Sequence, residues 1–252
     1  MARYTFRFAL HTVVAAFVAT TWLGCAAERA PTGGPVDKTP PELAFTAPPN
    51  EVRNYTGERY LFYFNEFLSP GAANGSVFIS PVLAPSAFTT QVTNHRLDVF
   101  FHEPLDSNTT YVLTLNQNVA DFNGTNALAE PIQVAFSTGP TLDSGAVFGR
   151  MQDAYTQEAI EEMIVLLYHP DSIQDNEFTN ITPSYAALAT ADGQFKLRYI
   201  KPGRYRILGL RDANANYRYD LPSETVATPA SDSVLVVRDT GDVQTLDLRA
   251  FT

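Results

Sequence analysis

What most constrains this chain is the recurrence, from residue 42 onward, of short runs with strand composition, each closed by turn formers. Over residues 42–138 these runs fall at 43–46, 59–64, 76–79, 88–92, 96–101, 110–115 and 133–137. Asn74-Gly75, Thr93-Asn94 and Asn123-Gly124 punctuate them, and these residue types adopt tight or left-handed turns most readily. Inside the runs apolar residues alternate. Tyr60, Phe62 and Phe64 share one strand face, as do Tyr111, Leu113 and Leu115.

Some seven short strands in about 100 residues is the pattern of an Ig-like β-sandwich. The Cys–Trp–Cys arrangement of antibody domains is absent, so this is not a true immunoglobulin domain. After Gly139-Pro140 the pattern restarts, with runs at 147–151, 163–168, 186–189, 194–198, 204–211, 234–237 and 244–248. Asp192-Gly193 fits a two-residue type I′ hairpin, and Pro202-Gly203 fits a type II turn with Gly203 at positive φ. A long insertion-like loop lies around 169–171. The expectation is all-β: two sandwiches in series, at 42–139 and 140–252.

The N-terminus is of another kind. Arg3 and Arg7 precede an apolar run, 8–23, shorter than the ~20 residues a membrane-spanning helix needs. The run ends Leu23-Gly24-Cys25-Ala26, and Cys25 is the chain's only cysteine. Residues 1–24 therefore read as a signal peptide. Cys25, with no disulfide partner in its own chain, reads as the lipidation site of a bacterial lipobox, although Trp22 stands where Leu is usual. The alternative is ordinary cleavage nearby, leaving a free thiol. Residues 25–41, rich in Pro, Gly and Ala, form a tether. By resemblance to lipoprotein sorting in other diderm bacteria, Ala26 rather than Asp after the cysteine implies an outer-membrane lipoprotein, and its periplasmic or surface orientation stays open.

Loss of the leader removes two basic residues and leaves 15 basic against 27 acidic, a net charge of −12. That surface argues against nucleic acid as partner and against polybasic docking on anionic lipid.

The order of several motifs carries a resemblance. Cys25, then Pro31 to Pro35 (PTGGP) and Thr39-Pro40-Pro41, resemble the start of Bacteroidota lipoproteins with an SbsA-type bacterial Ig-like domain. Phe64-Asn65-Glu66-Phe67, the run 105–111 (LDSNTTY) and Phe136-Ser137-Thr138-Gly139 continue it. The second half resembles a prealbumin-like, or carboxypeptidase regulatory-like, domain through Gly149-Arg150, Asp153-Ala154-Tyr155-Thr156, Asp192-Gly193-Gln194-Phe195 and Pro202-Gly203-Arg204-Tyr205. The resemblance implies architecture and leaves function open, because such domains serve as spacers, adhesion modules and ligand binders alike. Chains of this kind usually continue past the second sandwich, so a short version and a fragment are both open readings.

Catalytic chemistry is poorly supplied. After the leader only His95, His102 and His169 remain, and His102-Glu103-Pro104 cannot form a zinc helix. No nucleophile elbow, Ser-x-x-Lys pair or P-loop is present. Glu161-Glu162 reads as exposed charge, and 121–126 (DFNGTN) as a structural turn. The best chemical motif is Asp212-x-Asn214-x-Asn216-x-Arg218-x-Asp220, followed by Glu224. Oxygens at alternate loop positions can converge on calcium, with the Arg218 carbonyl among them. The motif also resembles the calcium loops of surface-adhesin B-type domains. Tyr217 replaces the usual loop glycine, and Ser223 falls where the final Glu belongs, one residue before Glu224. The competing reading is an Asx-rich turn bonded to its own backbone. Tyr199, Tyr217 and Tyr219 are candidates for stacking on a carbohydrate ring.

The expected function is a non-catalytic, lipid-anchored envelope protein with a structural, adhesive or protein-contact role, needing no cofactor beyond a structural calcium. Its expected contacts are the membrane, envelope proteins and glycans. The alternatives are a carbohydrate- or peptide-binding module and an accessory part of a hydrolase.

Overall fold

The strands form where β-branched and aromatic residues alternate, and a computed structural model of the chain shows fifteen of them among its described residues. Those residues are 36–123, 126–160, 163–173, 178–179, 181–190, 192–214, 216–220, 222–230, 234–238 and 243–251. The leader, Cys25, most of the tether and Glu161-Glu162 lie outside them.

The first seven strands are β1 (Leu43–Ala47), β2 (Arg59–Phe64), β3 (Val77–Ser80), β4 (Phe88–Thr93), β5 (Arg96–Phe101), β6 (Thr110–Leu115) and β7 (Ile132–Ser137). They make two sheets, ordered β1-β2-β5-β4 and β3-β6-β7. Lettered A to G, this is A-B-E-D against C-F-G, the seven-strand Ig constant-type order. Tyr60, Phe62 and Phe64 of β2 meet Tyr111, Leu113 and Leu115 of β6, with Phe136 of β7, in one core. The Phe136 ring stacks between Tyr60 and Tyr111, at 5.6 and 5.5 Å between centroids. Near the start of β6 the backbone N–H of Asp106 donates to Tyr111 Oη at 3.0 Å. This is a tyrosine corner, a device of Ig sandwiches that ties strand F to the loop before it.

The second half comprises β8 (Gly145–Asp153), β9 (Ile164–Tyr168), β10 (Tyr185–Leu188), β11 (Gln194–Ile200), β12 (Gly203–Arg211), β13 (Thr225–Pro229), β14 (Leu235–Val237) and β15 (Val243–Ala250). They hydrogen-bond into one sheet, ordered β10-β9-β12-β13-β15-β8-β11, with β14 beside the start of β12. Every strand of this sheet contributes to a single core that includes Met151, Val165, Tyr185, Phe195, Ile207, Ala227, Val237 and Leu248. The sheet therefore curls around its own interior. β13 has no counterpart among the sequence-derived runs; it pairs with β12 and β15.

Two turns differ from expectation. Of Asp192-Gly193 only Gly193 has positive φ, at 75°. The Thr190 N–H donates to Gln194 O and the Gly193 N–H to Thr190 O, both at 2.8 Å. Gly193 makes the turn, but the strands it joins, β10 and β11, stand at opposite ends of the sheet order and pair with β9 and β8, so the expected two-stranded hairpin is not formed. Gly203 does not take positive φ; it opens β12. The left-handed residue is Tyr199 (φ 57°), at an irregularity between Leu197 and Ile200 where β11 loses register with β8.

Residues Lys38–Thr252 form one compact unit. All four residues of β3 and all six of β6 are buried, which a two-sheet sandwich alone does not require. β6 is covered on its second side by β11, and β3 by β10. Phe78 points away from the Ig core and packs with Ile164, Leu166, Tyr168, Ala186, Leu208 and Leu210. β9, buried along its whole length, is consequently apolar on both faces (IVLLY), the composition of a strand covered on both sides.

Candidate functional site

The 212–224 loop starts where β12 ends, and its Asp/Asn content dictates its shape, because these side chains bond to nearby backbone N–H groups. Asp212 Oδ1 accepts from the Asn216 N–H at 3.3 Å, and Oδ2 from the Tyr217 N–H at 2.6 Å. Asn214 Oδ1 accepts from the Asn216 N–H at 3.2 Å, and Asn216 Oδ1 from the Arg218 N–H at 2.8 Å. The two amide Nδ2 groups converge on Asp220, at 3.1 and 2.6 Å. Glu224, buried, closes the loop by accepting the Ala213 N–H at 3.3 Å and the Asp220 N–H at 3.0 Å. Asp212, Asn214, Asn216, Asp220 and Glu224 are thus brought together. The Arg218 guanidinium leaves the loop to reach Thr182 Oγ1 at 2.8 Å.

Tyr217, the sixth residue of this loop, has φ 60°. The backbone bends there as it would around a loop glycine, despite the cost of a side chain in the left-handed region. Among the described residues no group of three or more His, Cys, Asp or Glu is placed to hold a metal ion. An ion here would depend on amide and backbone carbonyls beside the carboxylates, each oxygen having a lone pair beyond the N–H it accepts.

The three candidate tyrosines do not line one surface. Tyr217 and Tyr219 pack against the cluster containing Phe78. Burial, then the nearby Asp212 carboxylate, raises the Tyr217 hydroxyl above its ordinary pKa. The same two causes raise that of Tyr168, whose fully buried hydroxyl has no hydrogen-bond partner among the described residues. Tyr199 stands elsewhere, donating to Glu51 Oε1 at 2.6 Å across the junction of the two halves. Partial burial, then the Glu51 carboxylate, pushes its pKa up to about 12. It borders a groove of about 330 Å³ with Glu51, Arg53, Asp143 and Arg198, the last lying over the Phe148 ring at 4.9 Å.

The histidines hold separate places: His95 at the edge of the Phe67 ring, His102 beside Thr89 Oγ1 at 2.9 Å, and His169 at 3.4 Å from Asp171. Asp121 is buried and accepts from Asn126 Nδ2 at 2.8 Å, within its turn. Sequence reasoning missed two junction residues, Phe78 and Glu51. Only Phe78 left a signal, as an apolar residue at the outward position of a strand whose inward positions are Val77 and Ile79.

The strand order and tyrosine corner define residues 43–137 as an Ig-like sandwich, joined to a second all-β half. Residues 37–138 match the family described as bacterial Ig-like domain. The comparison with curated proteins returns no match. Among solved structures, the chain is similar to BcpA, the major pilin subunit of Bacillus cereus, in its D312A form: 8% identity, 84% of this chain and 70% of the pilin, TM-score 0.28. The group B streptococcus pilus 2b backbone protein shows 12% identity over 79% of this chain and 95% of its own, TM-score 0.27. An L,D-transpeptidase from Mycobacterium smegmatis shows 14% over 84% and 90%, TM-score 0.30. At such scores none of the three bears on function.

Proposed function

We propose that this chain is a non-catalytic protein of the bacterial cell envelope, held on the outer membrane by acyl chains on Cys25, with a structural or adhesive role. The observation that carries the reading is the join of a bacterial Ig-like domain to a second β unit through a packed apolar junction at Phe78. A stiff pair of this kind suits a spacer or display module. The cysteine after an apolar leader supports the anchor. Among the described residues no helix is long and apolar enough to cross a membrane. Binding of carbohydrate by Tyr199, Tyr217 and Tyr219 acting together loses its support, because the three stand apart. Mass spectrometry of the mature protein tests the reading: a diacyl or triacyl adduct on Cys25 is expected, and a bare thiol overturns it. Protease treatment of intact cells then decides between periplasmic and surface orientation.

A second reading has its own support: the 212–224 loop takes structural calcium. Asp212 accepts the N–H groups of the fifth and sixth loop residues, and the sixth adopts the left-handed turn that twelve-residue calcium loops make with glycine. Outside the cytoplasm an affinity of ~10⁻⁴–10⁻³ M is enough for such a site.

A further inference from the structure

At one end of the Ig-like sandwich Phe67 and Phe122 keep 56% and 64% of their surface exposed. Leu68 and Asp121 form an antiparallel bridge, which sets Phe67 and Phe122 side by side in register. The two side chains next to them in sequence, Leu68 and Asp121, are buried. Three loops are tied together here: the Phe64 N–H donates to His95 O and the Leu68 N–H to Asn94 O, both at 2.8 Å, and the Ser69 N–H to Ala120 O at 3.0 Å. The exposed rings therefore sit on hydrogen-bonded backbone. The chain also enters the domain at this end, where the Asn65 N–H donates to Glu42 O at 3.1 Å and the Glu42 N–H to Asn65 Oδ1 at 2.9 Å.

We propose that this is the membrane-facing end, and that Phe67 and Phe122 insert into the interfacial layer of the bilayer that holds the anchor. The inference rests on the reading of Cys25 as lipidated. The tether of 16 residues from 26 to 41, with a reach of at most about 55 Å, joins the domain at this end, which keeps this end the nearest to the anchor along the chain. Adjacent exposed aromatic rings mark surfaces that dock on apolar partners. Glu42 and Glu66 share this end, so the contact is apolar insertion and not attraction to anionic headgroups.

The chain has one tryptophan, Trp22 in the leader, so the mature protein offers a dark background for fluorescence. Full-length Phe67→Trp and Phe122→Trp are expressed, processed, reconstituted into phosphatidylethanolamine/phosphatidylglycerol vesicles with brominated acyl chains, and compared with Tyr155→Trp, whose site is 78% exposed. Emission from the indole introduced at position 67 or 122 is expected to shift to the blue and be quenched, equally in phosphatidylcholine vesicles, while the probe at position 155 stays unquenched. Absence of quenching at 67 and 122 in protein that floats with the vesicles overturns the proposal and leaves the anchor standing. So does equal quenching at 155, or a blue shift without vesicles that grows with protein concentration, which marks self-association. If Cys25 proves bare, the anchor reading falls; quenching at 67 and 122 then still supports the membrane face, and its absence ends both.

Discussion

The ring of Phe78, on β3 of the Ig-like sandwich, meets the ring of Tyr217, in the loop after β12, edge-on at 4.6 Å between centroids. Edge-to-face contact brings the positive rim of one ring to the negative face of the other, worth about 0.5–1.5 kcal/mol beyond burial. The contact ties the shape of the Asp/Asn loop to the packing between the two halves.

Phe78→Ala is expected to destabilise the protein by about 3–5 kcal/mol, the range for a buried phenylalanine truncated in a packed core. Because Phe78 packs with β9, β10 and β12, the loss should appear in one unfolding transition shared by both halves. Urea unfolding followed by circular dichroism checks this. Two separate transitions, with only one displaced, would contradict a shared junction.

At Tyr217 two substitutions should rank in an order that side-chain size does not give. Alanine loses the Phe78 contact and keeps the left-handed penalty, about 1–2 kcal/mol for a residue with Cβ. Glycine loses the same contact and removes the penalty. Tyr217→Gly should therefore be more stable than Tyr217→Ala by about that amount, read from denaturant midpoints. Equal stabilities would mean that the loop relaxes out of φ 60°.

Millimolar calcium is expected to raise the melting temperature, and Asp212→Ala to abolish the rise, because ligand that binds only the folded state stabilises it. Differential scanning calorimetry with calcium and with chelator decides it. An unchanged wild-type melting temperature would leave the loop as a self-bonded Asx turn.

Tyr199 should contribute to alkaline sensitivity. Its folded pKa is raised from about 10 to about 12, by burial first and Glu51 second, so folding favours the protonated phenol. The sign follows from linkage: the stabilisation is complete below pH about 10 and is lost as pH rises toward about 12. Tyr199→Phe cannot ionise at that ring, so the stability difference between wild type and variant should shrink across this window. A difference that stays constant from neutral pH to pH about 12 argues against the assignment.

Much of the fold was legible in the chain because its cause is local. Alternation at Tyr60, Phe62, Phe64 and at Tyr111, Leu113, Leu115 named the inward faces of β2 and β6, and both sets are core. Asp212, Asn214, Asn216 and Asp220 were legible as one local group, because alternate positions of a short loop converge in space whichever partner they bind. The three tyrosines were grouped by residue type and loop position, and nothing in their spacing reveals that Tyr199 faces Glu51, 148 residues away. The hairpin at Asp192-Gly193 failed because turn letters do not say whether the two strands they join pair together, and β10 and β11 pair with β9 and β8 instead.

Sequence by itself determined the all-β class and the inward faces of the strands, both set by periodicity, and for the Asp/Asn loop it named the residues while leaving a calcium site and a self-bonded turn both open. Tertiary structure alone decided that Phe78 and the outer face of β6 are buried, that Thr225–Pro229 is a strand, and that Glu51 and Tyr199 meet. Those outcomes depend on which surfaces come together once both sheets exist. That choice belongs to the sum of apolar area removed from water over the whole chain, which no local stretch of residues encodes.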